Sequence, residues 1–226
     1  MAEADLARSF ASVVQFFPSL QVLNLEVGGL NIQGLLDCAA FGHLPSLKSL
    51  TANGWQRVAL GSDVRLPALT FLELGGLETV EVAGCLPSLQ IIMIEHVFKV
   101  QLAGEGLQLP QLTKLDLECV HDELDVSWAA MPQLGEFYLR AGDDLQMDTS
   151  GLAALTRLTS ICLAYDEESS GEPVDRVLEA APPSLCDLCI SGSRDDWDLP
   201  PPLQQLSHVT SLACCSVDLM PHLRDL

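Results

Sequence analysis

The chain has 226 residues, 48% of them hydrophobic and only 5% aromatic, so it can fill one large core, built chiefly from aliphatic side chains. Its 31 acidic against 11 basic residues give a formal charge of -20, a field that repels phosphate backbones and anionic bilayers, and neither nucleic-acid nor membrane binding is expected. No apolar run approaches the ~20 residues that span a bilayer, the N-terminus carries acids where a secretory signal needs positive charge, and eight scattered cysteines suit a reducing compartment, so a cytoplasmic protein is expected.

Residues 1–17 place Leu6, Phe10, Val13, Val14 and Phe17 at helical intervals and are predicted to form an amphipathic capping helix. From residue 18 to 226 the chain is repetitive. FPSLQVLNL, LPSLKSLTA, LPALTFLEL, LPSLQIIMI, LPQLTKLDL, MPQLGEFYL, LTRLTSICL, PPSLCDLCI and LSHVTSLAC align without gaps on Leu20, Leu47, Leu69, Leu89, Leu112, Leu134, Leu158, Leu185 and Val209. The spacings are 27, 22, 20, 23, 22, 24, 27 and 24 residues, which makes about nine repeats. Alternate residues of a strand point to opposite faces, so in each LxL both aliphatics enter the core and the residue between them meets solvent. The proline of LPSL, LPAL and LPQL fixes φ and lacks an N–H, and belongs at the strand entry.

Between these strands, RVALGSDVR, ETVEVAGC, FKVQLAGEG and DELDVSWAA alternate too briefly for a helix and are predicted to be extended second strands. IQGLLDCAAFGH in the first repeat and EPVDRVLEAA in the seventh, the latter with Pro173 in its first turn, are predicted to be helical. Trp55, Trp128 and Trp197 fall in these connecting segments, where they are expected to cover the edge of the solenoid. MPHLRDL, from Met220, resembles the opening of a further repeat, so the array is expected to be open or truncated at its C-terminal end.

A period of ~20 to 29 residues around an LxxLxL core is the mark of the leucine-rich-repeat family, and the chain resembles that family over nearly its whole length. The irregular LPxLxxLxL form looks like the repeat regions of plant-type intracellular immune receptors and of F-box/LRR proteins. The resemblance implies an α/β solenoid: a horseshoe with a parallel concave β-sheet and mixed short-strand and helical convex segments. The chain departs from the family by lacking an asparagine ladder. Gly28, Trp55, Leu77, Val97, Val120, Gly142, Asp166, Ser193 and Val217 stand three residues beyond the second strand aliphatic. No phosphate-binding loop frames Lys48, Lys99 or Lys114, and the residues before Leu20 are too few for an F-box.

The repeat frame assigns a concave face. Glu73, Glu95, Asp116, Glu118 and Glu136 should project from strands about 4.8 Å apart, with Met93 and Tyr138 as apolar anchors and Lys114 and Arg140 relieving repulsion. These residues complement a basic protein or peptide, the alternative being a solvated acidic face. A second set, Asp122, Asp143, Asp144, Asp166 and Asp195 with neighbouring acids, is expected in loops after the strands as an acidic rim. It has no calcium-loop frame. Cys186 and Cys189 form a C-x-x-C, but the frame points Cys214 inward and Cys189 outward, so no metal site and no cofactor is expected. Cys162 and Cys189 should be lateral neighbours. The five histidines follow no catalytic motif. The expectation is a non-enzymatic protein-interaction module; the alternatives are the sensor or specificity arm of a larger immune receptor or ubiquitin-ligase protein, and a cytoskeletal or axonemal scaffold component.

Overall fold

The structure is a computed structural model and describes residues 16–26, 32–38, 44–142, 145–165, 172–192 and 206–214. The strands in chain order are β1 (Val22–Glu26), β2 (Ile32–Asp37), β3 (Ser49–Asn53), β4 (Trp55–Leu60), β5 (Phe71–Val82) and β6 (Ile91–Leu102). They continue with β7 (Lys114–Val126), β8 (Glu136–Ala141), β9 (Gln146–Met147), β10 (Ser160–Tyr165), β11 (Asp187–Ser191) and β12 (Ser211–Cys214). Every pairing between them is parallel, and the main path runs β1-β3-β5-β6-β7-β8-β10-β11-β12. The chain is thus a parallel β-solenoid, and the gapless alignment of the repeats is its register. Leu50, Leu72, Ile92, Leu115, Phe137, Ile161 and Leu188 form one inward row, and Ala52, Leu74, Ile94, Leu117, Leu139, Leu163 and Ile190 the next.

The LPxL tetrapeptides explain how each turn re-enters the sheet. Leu69 N–H donates to the Leu66 carbonyl at 3.2 Å, and Leu89 to Leu86, Leu112 to Leu109 and Leu134 to Met131 repeat the bond. Each tetrapeptide is therefore a four-residue turn with proline at its second position, where a fixed φ is favoured and no N–H is required. Behind it, one carbonyl per repeat accepts two N–H donors from the next: the Lys48 carbonyl binds Thr70 at 2.8 Å and Phe71 at 3.0 Å. Threonine at this position adds its hydroxyl, as Thr70 does to Lys48 (3.0 Å) and Thr113 to Gln90 (3.1 Å).

A second sheet forms largely where extended segments were predicted, although it also takes in Ile32–Asp37, and Trp128–Ala130 at the end of DELDVSWAA is a 3-10 turn instead. β2 pairs β4, β4 pairs the later half of β5, and β7 pairs β9. β5, β6 and β7 run through both sheets in 12, 12 and 13 residues. They bend at Gly76 (φ 65°), His96 (φ 53°) and Cys119 (φ 55°), and Gly54 (φ 79°) holds the same place between β3 and β4. A left-handed residue resets the inward-outward alternation, so that Trp55, Leu77, Val97 and Val120 return to the core one residue later. At Trp55, Leu77, Val97 and Val120 the residue three beyond the second strand aliphatic is thus the first buried residue of a second extended stretch.

These corners carry a prediction. L-residues in left-handed backbone cost roughly 1–2 kcal/mol, least for His, Asn and Asp and most for β-branched side chains. His96 is exposed, so packing contributes little there. His96→Val is expected to unfold at lower urea than His96→Gly, by about 1–2 kcal/mol of stability. Coincident transitions for the two variants would contradict a left-handed residue 96.

In the seventh repeat the predicted helix is present as α1 (Glu172–Glu179), burying Pro173, Val174, Val177 and Leu178. In the first repeat the expectation of a helix is corrected: Ile32–Asp37 is strand β2. β4 offers these residues a ready backbone ladder, with Leu36 buried beside Val58; residues 39–43 of the expected helix lie outside the described residues. The expectation that tryptophans cover the edge is also corrected, since Trp55 and Trp128 are 1% and 2% exposed and belong to the core. Trp197, the capping helix through residue 15 and the segment from Met220 lie outside the described residues. Phe16 and Phe17, at the end of that predicted helix, are exposed, and Phe17 opens the first turn by accepting from Leu20 N–H at 2.9 Å.

Candidate functional site

The outward residues of the wide sheet form three columns. The first runs Ser49, Phe71, Ile91, Lys114, Glu136, Ser160 and Asp187; the second Thr51, Glu73, Met93, Asp116, Tyr138, Cys162 and Cys189; the third Asn53, Gly75, Glu95, Glu118, Arg140, Ala164 and Ser191. All eight residues expected on the binding face, Glu73, Met93, Glu95, Asp116, Glu118, Glu136, Tyr138 and Arg140, lie on β5–β8 within these columns. Met93 stands between Glu73 and Asp116, and Glu118 between Glu95 and Arg140. Cys162 and Cys189 are in register.

Not all of these carboxylates are equivalent. Lys114 Nζ lies 3.1 Å from Asp116 Oδ2, and Arg140 Nη1 lies 3.3 Å from Glu118 Oε1. Exposed pairs of this kind add only about 0–1 kcal/mol of stability, yet they neutralise the charge that an incoming cation would meet. Among the described residues no Lys, Arg or His pairs with Glu73, Glu95 or Glu136. Glu73 accepts one long hydrogen bond, 3.5 Å, from Thr51 Oγ1. Burial, followed by the nearby Glu118 and Cys162, raises the Tyr138 hydroxyl above the usual tyrosine range, so it remains a protonated donor at neutral pH.

Phe71 and Ile91 were missed by the sequence reading. They share the first column with Lys114 and Glu136 and are only half-buried, with Met93 one column away. The available signal was their parity, two residues before the outward Glu73 and Met93. Apolar residues in a strand are assigned to the core by default, and in this column that default fails.

The acidic rim is redrawn. Asp122 was placed both in the extended segment DELDVSWAA and in a rim loop; β7 continues through it, in agreement with the extended reading, and leaves it exposed on the second sheet, because the left-handed Cys119 lets the strand turn the corner without breaking. Its neighbour Glu123 pairs with Lys99 at 3.5 Å. Asp143, Asp144, Asp166 and Asp195 lie outside the described residues.

Two open clefts border the LPxL turns, one of about 720 Å3 lined by Arg65, Pro67, Cys85, Pro87, Glu105 and Gln108 among others, the other of about 390 Å3 around Leu107, Pro110, Ala129 and Pro132. Neither is lined by a histidine or borders the three columns. Among the described residues no three His, Cys, Asp or Glu side chains are grouped to hold a metal ion, and no helix is long and apolar enough to cross a membrane. Comparison with family models and with curated proteins returns no match to this chain.

Proposed function

We propose that the chain is a leucine-rich-repeat horseshoe acting as a non-enzymatic, cytoplasmic protein-interaction module, with the three outward columns as its concave binding face and a basic protein or peptide as its partner. The LxxLxL phase supports the family reading. The observation that carries the functional one is the coexistence, on a single sheet, of carboxylates that form no ion pair among the described residues (Glu73, Glu95, Glu136) with half-buried Phe71, Ile91 and Met93. Exposed acids alone maintain solubility, whereas acids interleaved with partly exposed apolar side chains suit a partner that brings both charge and apolar surface. A sheet face that borders neither of the two clefts also suits a macromolecule better than a small substrate, which is normally enclosed.

Affinity capture followed by mass spectrometry, at about 50 and 300 mM salt so that the screening length differs about 2.5-fold, tests this. The triple reversal Glu73→Lys, Glu95→Lys, Glu136→Lys is expected to lose at least about tenfold of the salt-sensitive captured protein, a scale that ordinary interfacial charge changes reach. An equal reversal at Asp63, Glu105 and Asp125, which are exposed away from the columns, should retain it. Equal losses from the two triples would leave net charge as the only determinant and sink the binding-face reading.

A further inference from the structure

We infer that the face is read chiefly at its β5–β6 part, by an extended segment that places an aliphatic or aromatic residue on Phe71, Ile91 and Met93 and a lysine or arginine at Glu95. This rests on the proposed binding role of the sheet and narrows it to one place and one chemistry.

Phe71 and Ile91 are register partners, Glu73 and Met93 are the next pair along the same strands, and Gly75 and Glu95 the third. The block therefore grades from apolar to acidic along the strand direction. At its acidic end Gly75 contributes no side chain: a Cβ there would lie 2.8 Å from Asn53 Oδ1 and 3.6 Å from the Glu95 carbonyl oxygen. The Asn53 amide oxygen thus lies over the position that a Gly75 side chain would take, and Glu95 is the register partner of Gly75 on the other side, so an amide oxygen and an acid flank this end of the block. Neither Glu73 nor Glu95 has a cationic partner among the described residues.

The adjoining strands explain why the site does not spread evenly over β7 and β8. There the acids Asp116 and Glu118 already hold Lys114 and Arg140, so a partner's cation would have to displace an internal one. Lys114 is also the register neighbour of Ile91, and its pairing with Asp116 leaves no open carboxylate on β7 beside the apolar end. Attraction at Glu95 and the apolar pair Phe71 and Ile91 at the opposite end together set a direction for the bound segment. Successive outward positions of a strand are about 7 Å apart. An extended ligand aligned with the strands consequently presents its apolar and basic residues two to four positions apart.

The probe is a set of fluorescein-labelled octapeptides, with Leu or Phe against Ser at one position, and Lys or Arg against Glu two, three or four positions away, read by fluorescence polarisation on the whole chain. Peptides carrying both an apolar and a basic residue should bind at least tenfold more tightly than those lacking either. Ile91→Ser and Met93→Ser should each weaken them fivefold or more, and Glu95→Gln should abolish the preference for Lys or Arg. Asp116→Asn with Glu118→Gln should change binding less than twofold. Circular dichroism checks each variant for folding, and Phe71→Gln substitutes for Ile91→Ser should the latter unfold. Peptides that bind normally to Glu95→Gln but not to the Asp116→Asn, Glu118→Gln variant would overturn the placement on β5–β6 while leaving the sheet as a binding face. Failure of every apolar-basic peptide to exceed the Ser and Glu controls would overturn the ligand chemistry, whereas the reading of the sheet as a protein-binding face stands or falls by the capture comparison.

Discussion

Trp128→Ala should lower the stability of the fold by about 3–5 kcal/mol, the range for deleting a large buried aromatic side chain. Trp128 opens a single 3-10 turn, Trp128–Ala130, at the end of β7, and it is 2% exposed. Its indole meets the Phe137 ring edge-on at 5.4 Å, and Nε1 donates to the Asp148 carbonyl at 3.0 Å. The side chain therefore joins its own repeat to β8 and to the segment after β9. Truncation would leave a cavity between the 3-10 turn, β8 and the segment after β9, and β8 is fixed by its ladders to β7 and β10, so collapse around it is limited. Trp128→Phe keeps most of the buried area and loses one hydrogen bond, whose net value is about 0.5–1.5 kcal/mol, so it should be several-fold milder. Urea unfolding followed by circular dichroism separates the two; a loss below about 1 kcal/mol for Trp128→Ala would be incompatible with an indole in the core. Because neighbouring repeats contribute most of each repeat's stability, hydrogen exchange should show the loss concentrated in β7–β9 before the more distant turns respond.

Gly84→Ala is expected to cost about 1–3 kcal/mol, the scale of overpacking where the surroundings cannot yield. A Cβ at residue 84 would lie 2.8 Å from the Gly61 carbonyl oxygen and 3.4 Å from that of Val64. Both obstacles are main chain, and the turn between them is tied by the bond from Val64 N–H to the Gly61 carbonyl at 3.1 Å. A side chain could rotate aside; these atoms move only if two successive turns separate. The exposed Glu105→Ala, one repeat further on, serves as the control and should stay within about 0.5 kcal/mol of the parent in thermal or urea unfolding. A parent-like Gly84→Ala would mean that the turns stack less closely than the structure describes.

Much of the architecture was legible because a solenoid writes its third dimension as a period. Aligning nine LxL blocks without gaps also aligned the strands, which is why Cys162 and Cys189 could be placed side by side and why the outward columns of β5–β8 could be named. The two places where the connecting segments were misjudged, Ile32–Asp37 and the rim-loop placement of Asp122, share a cause. Helical spacing and loop composition are local properties, whereas a short segment beside an unpaired strand takes its conformation from that strand's hydrogen-bonding groups. The depth of Trp55 and Trp128 was hidden for a similar reason: their burial depends on the second sheet, which closes over them only if the chain turns its corners at residues 54, 76, 96 and 119.

The candidate face divides along the same line. Residue order alone determined which side chains point outward, because alternation in an extended chain is a covalent consequence of the backbone. It determined the acidic character of the face as well, since the acids recur at the outward phase of successive repeats. Only the tertiary structure decided which of those acids are already satisfied. Lys114 could reach several carboxylates and takes Asp116, Arg140 takes Glu118, and Glu73, Glu95 and Glu136 are left without a cationic partner among the described residues. Likewise, that Phe71 and Ile91 are left only partly covered shows in three dimensions and not in the sequence. Direction is a property of the strand, but compensation and cover depend on neighbours some twenty residues away, at distances that register and side-chain geometry settle together.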